Sequence, residues 1–310
     1  MRHAPLVFEE VACSLCGSIR SAPFLTGPDR VHGIPGQFTL RRCRACGLIY
    51  QNPRPSAGSL AAIYPPDYGP YQDAAISRAT LHPDWRRLCD FVARTHPRPG
   101  RLLDIGSGAG TFLAAMRLRY PAWSLTGIEP DPRAATLARR SGATVIEATL
   151  DAAPLDEREW DAVTLWNVLE HLPDPLAALR RARSLLRPGG VIYLTVPLCD
   201  SWDARLFGPY WCGWELPRHF YAFERPTLEI LLRRAGLRIA SDACLAGIEY
   251  HVTESMRLLI AERVRRFTLR RLGVALTYSR PLRLAILPYL RLAAARGRST
   301  ALTIAARPGD

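Results

Sequence analysis

Residues Arg101–Phe112, reading RLLDIGSGAGTF, constrain this chain more than any other stretch. Leu102, Leu103 and Ile105 predict a buried strand, the glycines at 106, 108 and 110 a tight turn, and Thr111–Tyr120 a helix. A strand, a glycine turn and a helix N-terminus bring backbone N–H groups and the positive end of a helix dipole to one point. That geometry holds a nucleotide-like cofactor. Apolar runs alternate with helical patterns on either side, as in a mostly parallel sheet covered on both faces. Strands are predicted near 101–105, 124–128, 143–147, 161–166, 190–196, 237–244 and 300–307. Helices are predicted at 83–95, 110–119, 132–141, 174–186 and 226–235.

Charge decides which cofactor the turn suits. In a dinucleotide fingerprint, G-x-G-x-x-G, the helix faces a pyrophosphate. Here the third glycine comes one residue early, and Thr111 stands where that fingerprint has glycine. Asp104, at the strand end, would repel a pyrophosphate and attract a cation. S-adenosylmethionine carries an ammonium and a sulfonium and no phosphate. Glu129 follows the apolar run ending at Ile128, a position suited to accepting both hydroxyls of a ribose. Ligands of such sheets sit beyond the carboxyl ends of the strands. The cofactor candidates are therefore Asp104, Gly106, Ser107, Gly108, Gly110, Glu129, Pro130, Thr149, Leu150 and Asn167.

The stretch DIGSGAG followed by GIEPDP resembles the class I S-adenosylmethionine-dependent methyltransferases. The resemblance continues through DAVTLWNVLEHLPDP (161–175), LLRPGGVIYLTVP (185–197) and PRHFYAFERPTLEILLRRAGL (217–237), in matching order. It implies a Rossmann-like, doubly wound α/β sheet of seven strands with the last antiparallel. A small N-terminal zinc ribbon and a helical insertion between the last two strands would be additions to that fold. The implied function is methyl transfer to a small-molecule acceptor such as a sugar, a glycan precursor or a secondary metabolite. RNA methylation, or a non-catalytic membrane-associated role, is the alternative. No N-P-P-[YF] motif follows the fourth strand, and the zinc module is not markedly basic, so RNA and DNA are not the expected partners.

The module at the N-terminus is read from cysteine spacing. Cys13-Ser-Leu-Cys16-Gly17 and Cys43-Arg-Ala-Cys46-Gly47 form two knuckles offering four thiolates to a structural Zn2+, with no open position for substrate. A redox pair or a degenerate site is the alternative. The other cysteines, 89, 199, 212 and 244, read as small core residues of a protein in a reducing cytosol. The expected division is a ribbon at 1–52, a linker or lid at 53–80, and a catalytic domain at 81–310 holding the insertion at 250–298. The lid stretch is rich in Pro, Gly and Tyr, and Tyr64 and Tyr68 are expected to face the site.

Methyl transfer needs alignment and, for a protonated nucleophile, a base. His171, in Asn167-Val-Leu-Glu170-His171, follows the fourth strand and is the first candidate; its other reading is a structural histidine. In quinone-biosynthesis O-methyltransferases a carboxylate stands at the position of Asn167 and helps hold a divalent metal. The amide here gives no reason to expect a catalytic metal. The segment Trp211–Tyr221 resembles an acceptor wall, with Trp214 and Arg218 as substrate contacts and His219 as a second candidate base.

The net charge is +13, and all 41 basic residues are arginine. Twelve of them, against three acids, lie in the last sixty residues. Within that basic region Met256, Leu259, Ile260, Val264 and Phe267 keep a helical stripe, and Leu282–Ala295 is a second apolar run containing Pro288. Such helices are expected to cap the site or form a homodimer face, with weak contact to a membrane surface as the second reading. No segment is apolar enough to span a bilayer and the first residues lack a signal-peptide pattern, so a cytoplasmic protein, peripheral at most, is expected.

Overall fold

The computed structural model describes residues 6–65, 68–71 and 82–309. The chain divides into two compact units, each discontinuous in sequence. One comprises Pro65–Val196, Glu229–Ala246 and Thr303–Asp310; the other comprises Met1–Tyr64, Pro197–Leu228 and Gly247–Leu302.

The first unit is built on a seven-stranded sheet. Strands β1–β5 precede it in the chain, at Phe8–Glu9, Ser21–Gly27, Phe38–Cys43, Ile49–Gln51 and Arg54–Pro55. The sheet takes β6 (Arg101–Ile105), β7 (Ser124–Ile128), β8 (Thr144–Ile146), β9 (Trp160–Trp166), β10 (Leu186–Pro197), β12 (Leu237–Ala243) and β13 (Ala301–Pro308). Their order is β12-β13-β10-β9-β6-β7-β8. β6 pairs in parallel with both β7 and β9, and β13 runs antiparallel to β12, as anticipated. β9, WDAVTLW, is buried throughout, as a central parallel strand covered on both faces must be. The core gathers Leu88, Val92, Leu102, Phe112, Met116 and Tyr193. The helix at Pro83–Thr95 starts with Pro in its first turn and buries Leu88, Cys89, Phe91 and Val92 on one face.

The second unit assembles three distant stretches. β2, β3 and β4 form an antiparallel sheet, and β11 (Tyr221–Ala222) adds to the edge of β4. The insertion is three helices, Ile248–Arg263, Phe267–Thr277 and Arg280–Ala295. Two apolar runs in the sequence predicted two. The first helix ends before Val264, so Phe267 opens a new helix and faces outward instead of continuing the stripe. Ile34, Phe38 and Leu40 of the ribbon share a core with Phe207, Trp211 and Trp214, and with Val252 and Leu290 of the helices. A ribbon of this length cannot bury enough surface alone, and here it obtains a core from residues far along the chain. The remaining cysteines follow the expectation where Cys89, Cys199 and Cys212 are buried, whereas Cys244 is half-buried.

Candidate functional site

Asp104 sits on β6 in register with Gly127 of β7 and Thr164 of β9, one residue short of the strand's carboxyl end. The turn beyond it is held by backbone bonds from the Gly106 and Ser107 N–H groups to the Ile128 carbonyl, at 2.9 and 3.0 Å. Gly108 has φ +53°, and a Cβ there would lie 2.9 Å from the Pro70 carbonyl oxygen. Gly110 has φ +82° and would place a Cβ 2.7 Å from the Ala138 backbone. Both positions combine left-handed backbone with close approach, so neither admits a side chain. The helix Thr111–Arg119 then begins directly at the turn.

Two carboxylates meet this turn from below. Asp104 is 2% exposed, and its Oδ1 accepts a hydrogen bond from Thr164 Oγ1 at 2.6 Å. Burial, with the neighbouring Glu129 charge adding to it and the Thr164 bond opposing it, pushes the Asp104 carboxyl up to about 7. Glu129 accepts from the N–H of Gly108 at 2.8 Å through Oε2 and from the N–H of Asp131 at 2.9 Å through Oε1. Burial raises it also to about 7 against those two bonds. Each oxygen of Glu129 keeps a second lone pair for another donor. The Ser107 hydroxyl is buried with no hydrogen-bond partner among the described residues. Two buried carboxylates with no cationic side chain beside them among the described residues, and an orphaned hydroxyl, suit a cationic, hydroxyl-bearing ligand.

The other candidates of this unit also gather beyond the strand ends. Pro130 follows Glu129 and precedes the helix Pro132–Arg139, capped by Asp131. Thr149 and Leu150 follow β8, the first exposed and the second buried. Asn167 follows β9 with φ +52°, an uncommon conformation for a non-glycine residue that concentrates at functional sites. His171 ends the short 3-10 turn Leu169–His171 and is half-buried. Tyr68 is buried and meets Tyr71 edge-on at 5.1 Å. The intervening Pro70 carbonyl accepts the Ala109 N–H at 2.9 Å, so residues 68–71 lie on the glycine turn. Burial first, then the charges of Glu129 and Asp131, push the Tyr71 hydroxyl above its usual range. The sequence singled out Tyr64 and Tyr68; Pro70, through its carbonyl, and Tyr71, through its closeness to Glu129 and Asp131, also meet the turn and its acids. Positions 66–67 and 72–81 of the expected lid lie outside the described residues.

The remaining candidates lie in the second unit. Tyr64 ends the short helix Leu60–Ile63 and is half-buried. Arg218, expected to meet substrate, is 0% exposed and bonds both oxygens of Asp29 at 2.8 Å, Glu215 at 3.0 Å and the Ile63 carbonyl. Burial opposes its charge and the two carboxylates outweigh burial. It is a clamp of this unit's interior, not an open phosphate-binding group. Trp214 is likewise a core residue rather than a stacking platform, edge-on to Trp211 at 4.9 Å and donating to the Gly208 carbonyl at 2.8 Å. His219 is enclosed, with Nδ1 2.9 Å from the Gly213 carbonyl and Nε2 3.5 Å from Glu215. Burial, its largest influence, lowers its proton affinity, with Glu215 and the Gly213 carbonyl opposing it.

The four module cysteines come together as well. The Cys13–Cys46 and Cys16–Cys43 sulfurs are 3.5 Å apart, and all four lie within 4.8 Å of one another. A disulfide would bring sulfurs to about 2.05 Å. A tetrahedral zinc with bonds of about 2.3 Å separates its sulfurs by roughly 3.8 Å, which this cluster fits. The knuckles are built alike: the N–H groups of Gly17 and Gly47 donate to the carbonyls of Cys13 and Cys43.

Comparison with known proteins agrees with this geometry. The family model described as a methyltransferase domain matches residues 78–242. A ubiquinone biosynthesis O-methyltransferase from Xanthomonas axonopodis pv. citri is 33% identical over 166 residues, covering 49% of this chain and 69% of that protein. One from Xanthomonas campestris pv. campestris is 39% identical, over 48% and 68%. The fold is shared with the 1,6-didemethyltoxoflavin-N1-methyltransferase of Burkholderia thailandensis, solved with S-adenosylhomocysteine bound. That similarity has a TM-score of 0.51 and 19% identity and covers 93% of this chain and 100% of the other. Among the described residues no helix is long and apolar enough to cross a membrane. The chain belongs to the methyltransferase domain family and is an S-adenosylmethionine-dependent methyltransferase.

Proposed function

We propose that the turn from Asp104 to Gly110, with Glu129, holds S-adenosylmethionine, and that the chain methylates an oxygen of a small-molecule acceptor. The observation that carries the cofactor assignment is the pair of buried carboxylates, both raised to about 7 by burial with no cation beside them among the described residues. Asp104 would draw the cofactor's cationic groups, the lone pairs of Glu129 its ribose hydroxyls, and Gly108 would let the ligand approach the backbone. Thr149, Leu150 and Asn167 would line the pocket from the neighbouring strand ends, with residues 68–71 above the turn. Bound there, the cofactor supplies an electrophilic methyl group on sulfur, with a thioether as leaving group. His171 would take the proton of the acceptor hydroxyl, leaving its oxygen free to accept the methyl group.

Transfer to oxygen is favoured because the named relatives are O-methyltransferases. The family match ends at residue 242 and begins at 78, so the ribbon and the helical insertion stand outside it. Cys13, Cys16, Cys43 and Cys46 would hold a zinc ion with a structural role, since four thiolates leave no open position.

Calorimetry with S-adenosylmethionine, S-adenosylhomocysteine and NAD tests the cofactor assignment. Heat with the first two and none with NAD is expected; the reverse would refute it. Metal analysis should return about one zinc per chain, absent from a variant with all four cysteines changed to serine. Methyl transfer to phenolic and sugar hydroxyls should fall about a hundredfold or more in His171→Ala, while S-adenosylhomocysteine affinity is unchanged.

A further inference from the structure

From Arg263 to Gly309 the chain holds eleven arginines and no acidic residue. On the two outer helices of the insertion, Phe267, Leu269, Leu272, Leu276, Leu284 and Leu292 are between 47% and 67% exposed. Leu269, Leu272 and Leu276 fall on one face of the helix Phe267–Thr277 at i, i+3 and i+7, and that face points away from the protein. On Arg280–Ala295 the inner face packs Ile286, Leu287 and Leu290 on the core, while Leu284 and Leu292 share the outer face at i and i+8. Arg266, Arg271, Arg280 and Arg291 are exposed around these leucines and have no ion pair among the described residues. Arg270 and Arg271 lie over the Phe267 ring at 5.7 and 5.6 Å, their stems on apolar surface and their charges outward. A surface helix ordinarily turns leucine inward and charge outward; here leucine and unpaired arginine share the outside.

We propose that these two helices lie on an anionic membrane surface, their leucines entering the headgroup boundary and their arginines meeting lipid phosphates. Charge complementarity selects this occupant. A two-fold contact between copies of the chain would set two arginine-rich helices against themselves; the neighbouring Glu249 is already paired with Arg283, so the contact is repulsive. Single-stranded nucleic acid would match the arginines but asks for aromatic stacking surfaces, whereas the exposed apolar residues are mostly leucine. An acidic bilayer uses both halves of the pattern, apolar insertion and phosphate pairing. Neither helix is long enough to cross the membrane, so the attachment is parallel to its plane.

Sedimentation of the full chain with vesicles of phosphatidylcholine alone, or with about a third phosphatidylglycerol, tests this. Binding to the anionic vesicles, release by high salt and little binding to neutral ones are expected. Arg266→Gln with Arg271→Gln should weaken partition by roughly fivefold for each charge removed. Leu272→Ser with Leu276→Ser should weaken it about tenfold at unchanged charge. All four positions are exposed, and circular dichroism with S-adenosylhomocysteine binding confirms that the variants fold. No sedimentation with anionic vesicles overturns the proposal, as does equal binding to neutral ones. Binding indifferent to the leucines and fully competed by RNA would make the face a polyanion site instead. A dimer that Leu272→Ser with Leu276→Ser dissolves, without vesicle binding, would make it a self-association surface.

Discussion

Asp104 and Asp29 are both buried aspartates, and their surroundings are opposite. Asp29 accepts backbone N–H groups of Val31, His32 and Ile34 and is gripped by both terminal nitrogens of Arg218. Burial alone would raise its carboxyl, but the bonds and charge of Arg218 outweigh it and hold Asp29 below the usual range. Among the described residues Asp104 has one hydroxyl partner, no cation, and a second acid close by. The first cluster is closed upon itself; the second has no counterion among the described residues. A buried charge therefore reads as structure or as binding site according to whether the chain supplies its counterion.

The comparison breaks or sharpens under substitution. The largest effect is expected at the closed cluster. Asp29→Ala leaves Arg218 buried without its counterion and should cost about 3–5 kcal/mol in urea unfolding. Asp29→Ala combined with Arg218→Met should recover much of that loss. If the single variant is harmless, the cluster is not a clamp.

Asp104→Asn should do the reverse. Without ligand, at pH 8, the variant should be as stable as the parent or more so, because an uncompensated buried charge is removed. Its affinity for S-adenosylmethionine should drop at least about tenfold, since a charge-assisted contact is worth roughly 1.5–3 kcal/mol. A destabilised Asp104→Asn that still binds the cofactor would erase the distinction.

The pH dependences should run in opposite directions. Asp104 and Glu129 titrate near 7 when folded and near 3.8 and 4.5 otherwise. Their contribution to stability is therefore full below about pH 4 and lost as pH rises through 7. Cofactor affinity moves the other way, rising through pH 6–7 as the acids ionise and levelling above. Calorimetry in buffers of different ionisation enthalpy should register proton release near pH 6.5. Asp29, held low, contributes stability that is present above pH 4 and lost only in stronger acid. A flat affinity profile between pH 5.5 and 8 would show that neither acid meets the ligand.

The smallest effect concerns Thr164, whose hydroxyl favours the charged form of Asp104. Thr164→Val should shift the midpoint of the affinity profile upward. The loss should be several-fold near pH 7, corresponding to about 1 kcal/mol, and should vanish at pH 8.5.

Much of the sheet was legible because its signals are local. β6, β7 and the helix Pro83–Thr95 fall where the apolar pattern sets them, and Asp104 and Glu129 stand at the strand ends where that pattern puts them. The other unit was less legible for a physical reason. Arg218 finds Asp29 across 189 residues, and nothing in the periodicity around either records the other. Trp214 and Arg218 therefore looked like a substrate wall, when their environment is set by long-range pairing. The insertion misled differently: a stripe carried through Val264 to Phe267 ignores the break between two helices, and apolar residues there face outward.

β11 has a consequence for how the protein is made. The strands carrying the cysteine knuckles leave the ribosome well before β11, and the edge of β4 is not covered until Tyr221 and Ala222 follow. At ordinary elongation rates that interval is on the order of 10 s or more. Throughout it the nascent ribbon presents an unpaired strand edge, and the residues of Val252 and Leu290 that complete its core come later still. Metal capture by the four thiols, if it comes early, would keep that fragment in register while it waits and would make yield depend on metal supply during synthesis.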